Sequence, residues 1–126
     1  MGKNILIIAL FCILLVSASL QNWYISTSYE ELTGATRQIQ EAINARDVQK
    51  VNSGIDEFGR IWDKNSDTWM SIMLHDQVDC VSKCYLLMKS YAKTGNLEQT
   101  SAYLSQVEYA LSDVYKIDML SIHNIL

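Results

Sequence analysis

The chain has 126 residues, 49% of them apolar, with 10 basic and 14 acidic side chains and a net charge of -4. That apolar content excludes an intrinsically disordered chain, while no proline, five glycines and three cysteines exclude collagen-like, proline-rich and disulfide-scaffold classes. The length fits one domain, and the acidic balance without a basic run argues against nucleic acid as a partner.

Residues 5 to 20, ILIIALFCILLVSASL, hold 14 apolar residues of 16, and Lys3 is the only charged side chain before Glu30. Two readings compete for this segment. A basic start, an apolar centre and small residues at Val16, Ser17, Ala18 and Ser19 suit a cleaved signal peptide. Against cleavage, the run continues through Trp23 and Tyr24 to Ile25, and Ile5 to Ile25 as a helix spans about 31 Å, enough to cross a bilayer. Trp23 and Tyr24 then fall at the interface, where amphipathic aromatics are favoured. The retained span is the reading adopted: residues 1–25 form a membrane anchor, Lys3 and the amino terminus stay cytoplasmic, and residues 26–126 lie outside. Cys12 follows Phe11 rather than a small residue, so it reads as a buried apolar thiol and not a lipidation site.

From residue 26 onward the spacing is helical. Tyr29, Leu32, Ala35, Ile39, Ala42 and Ile43 share one face of residues 27–45, continuing from the membrane helix with little break. Asp47 can cap the next helix, whose stripe is Val48, Val51, Ile55, Phe58, Ile61 and Trp62. Asn44 to Asp47, Lys64 to Asp67 and Thr94-Gly95-Asn96 are the expected joints, although the second also reads as helix continuing through Asn65 and Ser66. Between Asp67 and Lys93 the stripe is Leu74, Val78, Val81, Cys84, Tyr85, Met88, Tyr91 and Ala92. Gly95 suits the left-handed residue that ends a helix, and Asn96 caps a last stripe of Leu97, Thr100, Leu104, Val107, Leu111 and Val114. The second and fourth stripes align at an offset of 49 residues. Amphipathic helices resemble one another by constraint alone, and that explanation is preferred to a duplication.

No stretch shows the period-two alternation of a strand. The expected fold is therefore all-α: an N-terminal transmembrane helix followed by an antiparallel four-helix bundle made of two helical hairpins. Trp62 and Trp69 are expected to carry the most packing energy. The final segment, Ile117 to Leu126, is too apolar for a free tail, so it either folds back onto the bundle or anchors a partner.

The pairing of Trp62 with Trp69, the segment His75-Asp76-Gln77-Val78-Asp79 opening a long helix, the capped helix after it and the terminal Asn124-Ile125-Leu126 resemble the bacterial family called domain of unknown function 4363. The resemblance covers most of the chain, including the membrane segment. It implies a single-pass protein of Gram-positive, largely spore-forming bacteria that associates with other membrane proteins, with no assigned activity. Gln77 stands where the family pattern carries an acidic residue.

Candidate chemistry is sparse. His75 and Asp79 are one helical turn apart and share a face, which reads either as a solvated ion pair or as a docking point for the tail or a partner. Cys80 and Cys84 share another face and are expected as free thiols, because a straight helix presents i and i+4 sulfurs poorly for a disulfide. Four converging ligands for a tetrahedral metal are not available from this helix. Neither a nucleophile elbow nor a glycine-rich phosphate loop occurs. The chain is thus expected to be a noncatalytic, membrane-tethered interaction module needing no cofactor. Its expected partners are the bilayer, through residues 5–25, and another membrane protein. The alternative is a secreted soluble bundle that binds a small apolar ligand after cleavage near Ala18.

Overall fold

The computed structural model describes the backbone of residues 1–72 and 75–125 and the side chains of residues 1–71 and 75–116. Four helices make up this part of the chain: α1 (Gly2–Asn44), α2 (Val48–Ile72), α3 (His75–Lys93) and α4 (Leu97–Ile125). No strand occurs among the described residues. The all-α expectation therefore stands, as does the prediction that the apolar N-terminal segment runs into the first amphipathic helix, since α1 is unbroken over 43 residues.

Two similar turns set the helix pairs. At the end of α1 the Arg46 N–H donates to the Ile43 carbonyl (3.0 Å) and the Asp47 N–H to the Ala42 carbonyl (3.1 Å). At the end of α3 the Gly95 N–H donates to Ala92 and the Asn96 N–H to Tyr91, both at 3.1 Å. Each is a Schellman closure, which needs a left-handed residue at the position just past the helix. Arg46 (φ 55°) and Gly95 (φ 76°) supply it. The next residue then caps the following helix, with Asp47 Oδ1 accepting from the Lys50 N–H (3.2 Å) and Asn96 Oδ1 from the Gln99 N–H (3.1 Å). Both caps were legible in the sequence; the left-handed Arg46 was not. A side chain there is strained where glycine is not. Arg46→Gly is accordingly expected to gain up to about 1 kcal/mol, and Gly95→Ala to lose about 1 kcal/mol, both measurable by thermal unfolding.

The third joint differs from expectation. Lys64 to Asp67 is helical, and α2 runs on to Ile72, so the alternative reading through Asn65 and Ser66 is the correct one. A polar residue can sit inside this helix because Asn65 is buried with its groups bonded: Nδ2 donates to the Ile61 carbonyl at 2.8 Å, and Oδ1 accepts from the Tyr24 hydroxyl. Consequently α3 begins at His75, and Leu74 of the predicted stripe lies outside the described residues.

Helix α1 packs against α2 and α4, and α3 packs against α2 and α4. Partners advance in opposite directions along neighbouring helices. Asn52 of α2 meets the Ala92 carbonyl of α3 while Trp62 meets Ser82, and Tyr91 of α3 stacks on Tyr103 of α4 while Cys84 meets Gln106. The predicted stripes converge between the helices, where Leu32, Ile39, Val51, Phe58, Val78, Val81, Met88, Leu104, Val107 and Leu111 are fully buried. Each large side chain so placed contributes about 1.5–3 kcal/mol. Close approach also needs small residues in α2. A Cβ on Gly54 would lie 2.9 Å from Ile39 Cγ1, and one on Gly59 would lie 2.1 Å from the Tyr85 hydroxyl oxygen.

The first twenty residues of α1 contrast with this core. Ile5, Leu6, Ile7, Ile8, Leu10, Phe11, Ile13, Leu14, Val16 and Leu20 are all exposed, and α1 is long and apolar enough to cross a membrane by length and composition. A signal sequence near an amino terminus satisfies the same criterion.

Candidate interaction site

Where the exposed stretch of α1 meets the packed helices, the stripes carry polar residues among the apolar ones. In α1 the inward positions are Ile25, Ser28 and Leu32; in α2 they are Trp62, Asn65 and Trp69. Polar groups in these positions need partners, because an unbonded buried donor or acceptor costs about 1–3 kcal/mol. They find each other. The Trp69 indole N–H donates to Ser28 Oγ at 2.9 Å, and the Ser28 hydroxyl donates to the Ile25 carbonyl at 3.0 Å. The Tyr24 hydroxyl donates to Asn65 Oδ1. The Trp62 N–H donates to Ser82 Oγ of α3 at 2.9 Å.

Trp62 and Trp69 are thus brought together, as the sequence singled them out. Their ring centroids lie 5.6 Å apart at 78°, edge to face, an arrangement favoured by the ring quadrupoles. Next to them Tyr29 stacks on Tyr115 of α4, with centroids 4.2 Å apart and planes within 6°. Ser28, Asn65 and Ser82 escaped the sequence reading. Its available signal was a polar residue at a stripe position, which an indole N–H can use as an acceptor.

The other candidate residues do not converge on one place. His75 is the exposed first residue of α3 and forms neither a hydrogen bond nor an ion pair with Asp79. The one ion pair among the described residues is Arg60 with Glu57, at 2.6 Å on the surface; the Arg60 guanidinium holds the Glu57 carboxyl below its ordinary range. Lys3 and Trp23 are exposed, Trp23 at 67%, whereas Tyr24 is half-buried and turned to Asn65. Successive helical residues are about 100° apart, so Trp23 and Tyr24 cannot both face outward from the same side. Of the two aromatics expected at an interface, Trp23 is thus the exposed one, and the Tyr24 hydroxyl is engaged with Asn65. Ile25 is fully buried, which ends the exposed apolar run of α1 before that residue. Asn124 and Ile125 lie in or at the end of α4 with side chains outside the described set, and Leu126 lies outside the described residues.

The cysteines are free: Cys12 and Cys80 are exposed and Cys84 is buried. Burial pushes the Cys84 thiol above its ordinary value, with the adjacent Cys80 adding to the shift. The described residues contain no group of three or more His, Cys, Asp or Glu side chains placed to hold a metal ion.

A family model described as Domain of unknown function (DUF4363) matches residues 19–125. No curated protein and no solved structure matches the chain.

Proposed function

The chain belongs to the family described as domain of unknown function 4363, and on that footing we propose that it is a noncatalytic interaction module tethered to a membrane. The exposed N-terminal stretch of α1 forms a single-pass anchor and the rest of the chain an antiparallel four-helix bundle, with α1 shared between the two. The observation that carries this reading is the change of environment within α1. Ile5 to Leu20 hold 14 apolar residues of 16 and are exposed except for half-buried Ala18, while Ile25, Leu32 and Ile39 of the same unbroken helix are fully buried. An apolar helix surface of that extent is stable in lipid and unfavourable in water.

Lys3, the only charged side chain of the first 29 residues, orients the amino terminus to the cytoplasm and the bundle to the outer face. Exposed Trp23 marks the outer interface. The buried hydroxyls, amide and indoles near it are committed to joining helices, which suits a scaffold better than a reaction centre. Tethering raises the effective concentration of the bundle beside a membrane-protein partner, and the family resemblance suggests an accessory role of this kind in spore-forming bacteria.

Alkaline carbonate extraction of membranes, combined with the mass of the mature chain, tests the tether. The expected result is a chain that stays in the membrane pellet with residues 1–18 intact. A mature chain beginning near Ser19 and recovered in the soluble fraction overturns it in favour of the secreted, ligand-binding bundle.

A further inference from the structure

Cys80 and Cys84 stand one turn apart on α3, which puts their Cβ atoms about 5–6 Å apart on one helix face. Both line a groove of about 370 Å³ between α3 and α4, whose α4 wall includes Gln106, Tyr109 and Asp113. The two sulfurs differ in setting. Cys84 is seated, with its S–H directed at Gln106 Oε1 at 3.6 Å, and Cys80 is open to the groove mouth. The fold needs a small apolar group at position 84 and gains no burial from a thiol at position 80.

We propose that Cys80 and Cys84 form a two-sulfur site that takes up a soft monovalent cation of the Cu(I) and Ag(I) class, bridged S–M–S across one turn of α3. Soft thiolate ligands select such ions. With metal–sulfur bonds of about 2.3 Å a linear bridge needs sulfurs roughly 4.6 Å apart, within reach of side chains at this spacing. On uptake both thiols lose their protons to solvent, two metal–sulfur bonds form, and the site's charge goes from zero to minus one after binding the cation. No oxidant or reductant takes part. Coordination number gives the selectivity: two sulfurs complete a linear site but leave a tetrahedral ion half-coordinated. Asp76 and Asp113 at the groove walls favour the approach of a cation. In the empty site Gln106 Oε1 accepts the Cys84 S–H.

The test uses the full chain in detergent micelles, without chloride, with Ag(I) as the probe and Cys12→Ser as the background that removes the third thiol. Native mass spectrometry is expected to show one Ag(I) on one chain, undisturbed by a tenfold excess of Zn(II). Cys80→Ser and Cys84→Ser should each weaken uptake by about a hundredfold or more, because the second sulfur acts at high effective concentration. Circular dichroism reports folding of each variant, and Cys80→Ser, at an exposed position, keeps the test decisive if Cys84→Ser unfolds. Unchanged affinity in Cys80→Ser, two ions on one chain, a metal-bridged pair of chains, or displacement by Zn(II) would each overturn the proposal.

Discussion

Replacement of Trp69 by alanine is expected to lower the stability of the packed helices by about 3–5 kcal/mol. Trp69 is fully buried near the end of α2, so its removal loses burial of the largest side chain in the core and leaves a cavity where α1 and α2 meet. It also loses the edge-to-face contact with Trp62, in the range of about 0.5–1.5 kcal/mol, and the indole hydrogen bond to Ser28. Ser28 keeps its own bond to the Ile25 carbonyl, so the hydroxyl is not stranded, which keeps the loss within the range for a large-to-small change. Trp62→Ala, at 2% exposure, belongs in the same range. The double variant should fall short of the sum of the two by roughly the edge-to-face energy, because each single change already destroys that contact. Denaturant unfolding followed by far-ultraviolet circular dichroism measures all three. A loss below about 1 kcal/mol for Trp69→Ala would remove it from the core, since a domain of this kind holds only about 5–15 kcal/mol in total.

The core was readable because burial imposes a period on the sequence, and Val51, Ile55, Phe58 and Trp62 repeat it without interruption. Asp47 and Asn96 were readable because a cap needs a short polar acceptor at one fixed position. What escaped were features decided by a partner far along the chain. Lys64-Asn65-Ser66-Asp67 has the local composition of a joint, yet Asn65 lies on the stripe and bonds to Tyr24, 41 residues earlier, so tertiary context keeps the helix going. The same bond engages the Tyr24 hydroxyl, a contact that position along the apolar run does not reveal. Arg46 hides its left-handed turn because arginine carries no such preference; the one signal, not used in reading the sequence, is that it stands opposite Gly95 at the offset of 49 that relates the second and fourth stripes. The candidate site was less legible than the fold. Sharing a helix face makes an encounter between His75 and Asp79 geometrically open, but an exposed pair in water gains only a few tenths of a kcal/mol from it, too little to fix two side chains. Cys80 and Cys84 share a helix face legible from their spacing, whereas the groove they line depends on Gln106 and Tyr109 of α4, which no local pattern connects to them.

Ile13→Arg is expected to abolish stable membrane integration while leaving the packed helices intact. Ile13 lies near the middle of the apolar run and is 62% exposed, so its side chain supports no protein contact that the substitution could break. In lipid the balance is different. Placing arginine at the centre of a span costs about 2.5–3.5 kcal/mol on insertion scales, and the isoleucine it replaces contributes about 0.3–0.6 kcal/mol in favour. The difference of about 3–4 kcal/mol is a few hundredfold in the partition between integrated and released chain. Ile13→Leu, which keeps the apolar surface, should behave as the unaltered chain. Carbonate extraction reads the partition, and denaturant unfolding in detergent reads the packed helices, where the two variants and the parent should coincide. If Ile13→Arg instead unfolded the domain, the exposed half of α1 would have to be packing against protein, and the proposed division of this helix into a lipid-facing half and a core-facing half would fail. If it stayed in the carbonate pellet, something other than the bilayer would be holding the chain there, and the apolar surface of α1 would be a contact with a membrane protein rather than with lipid.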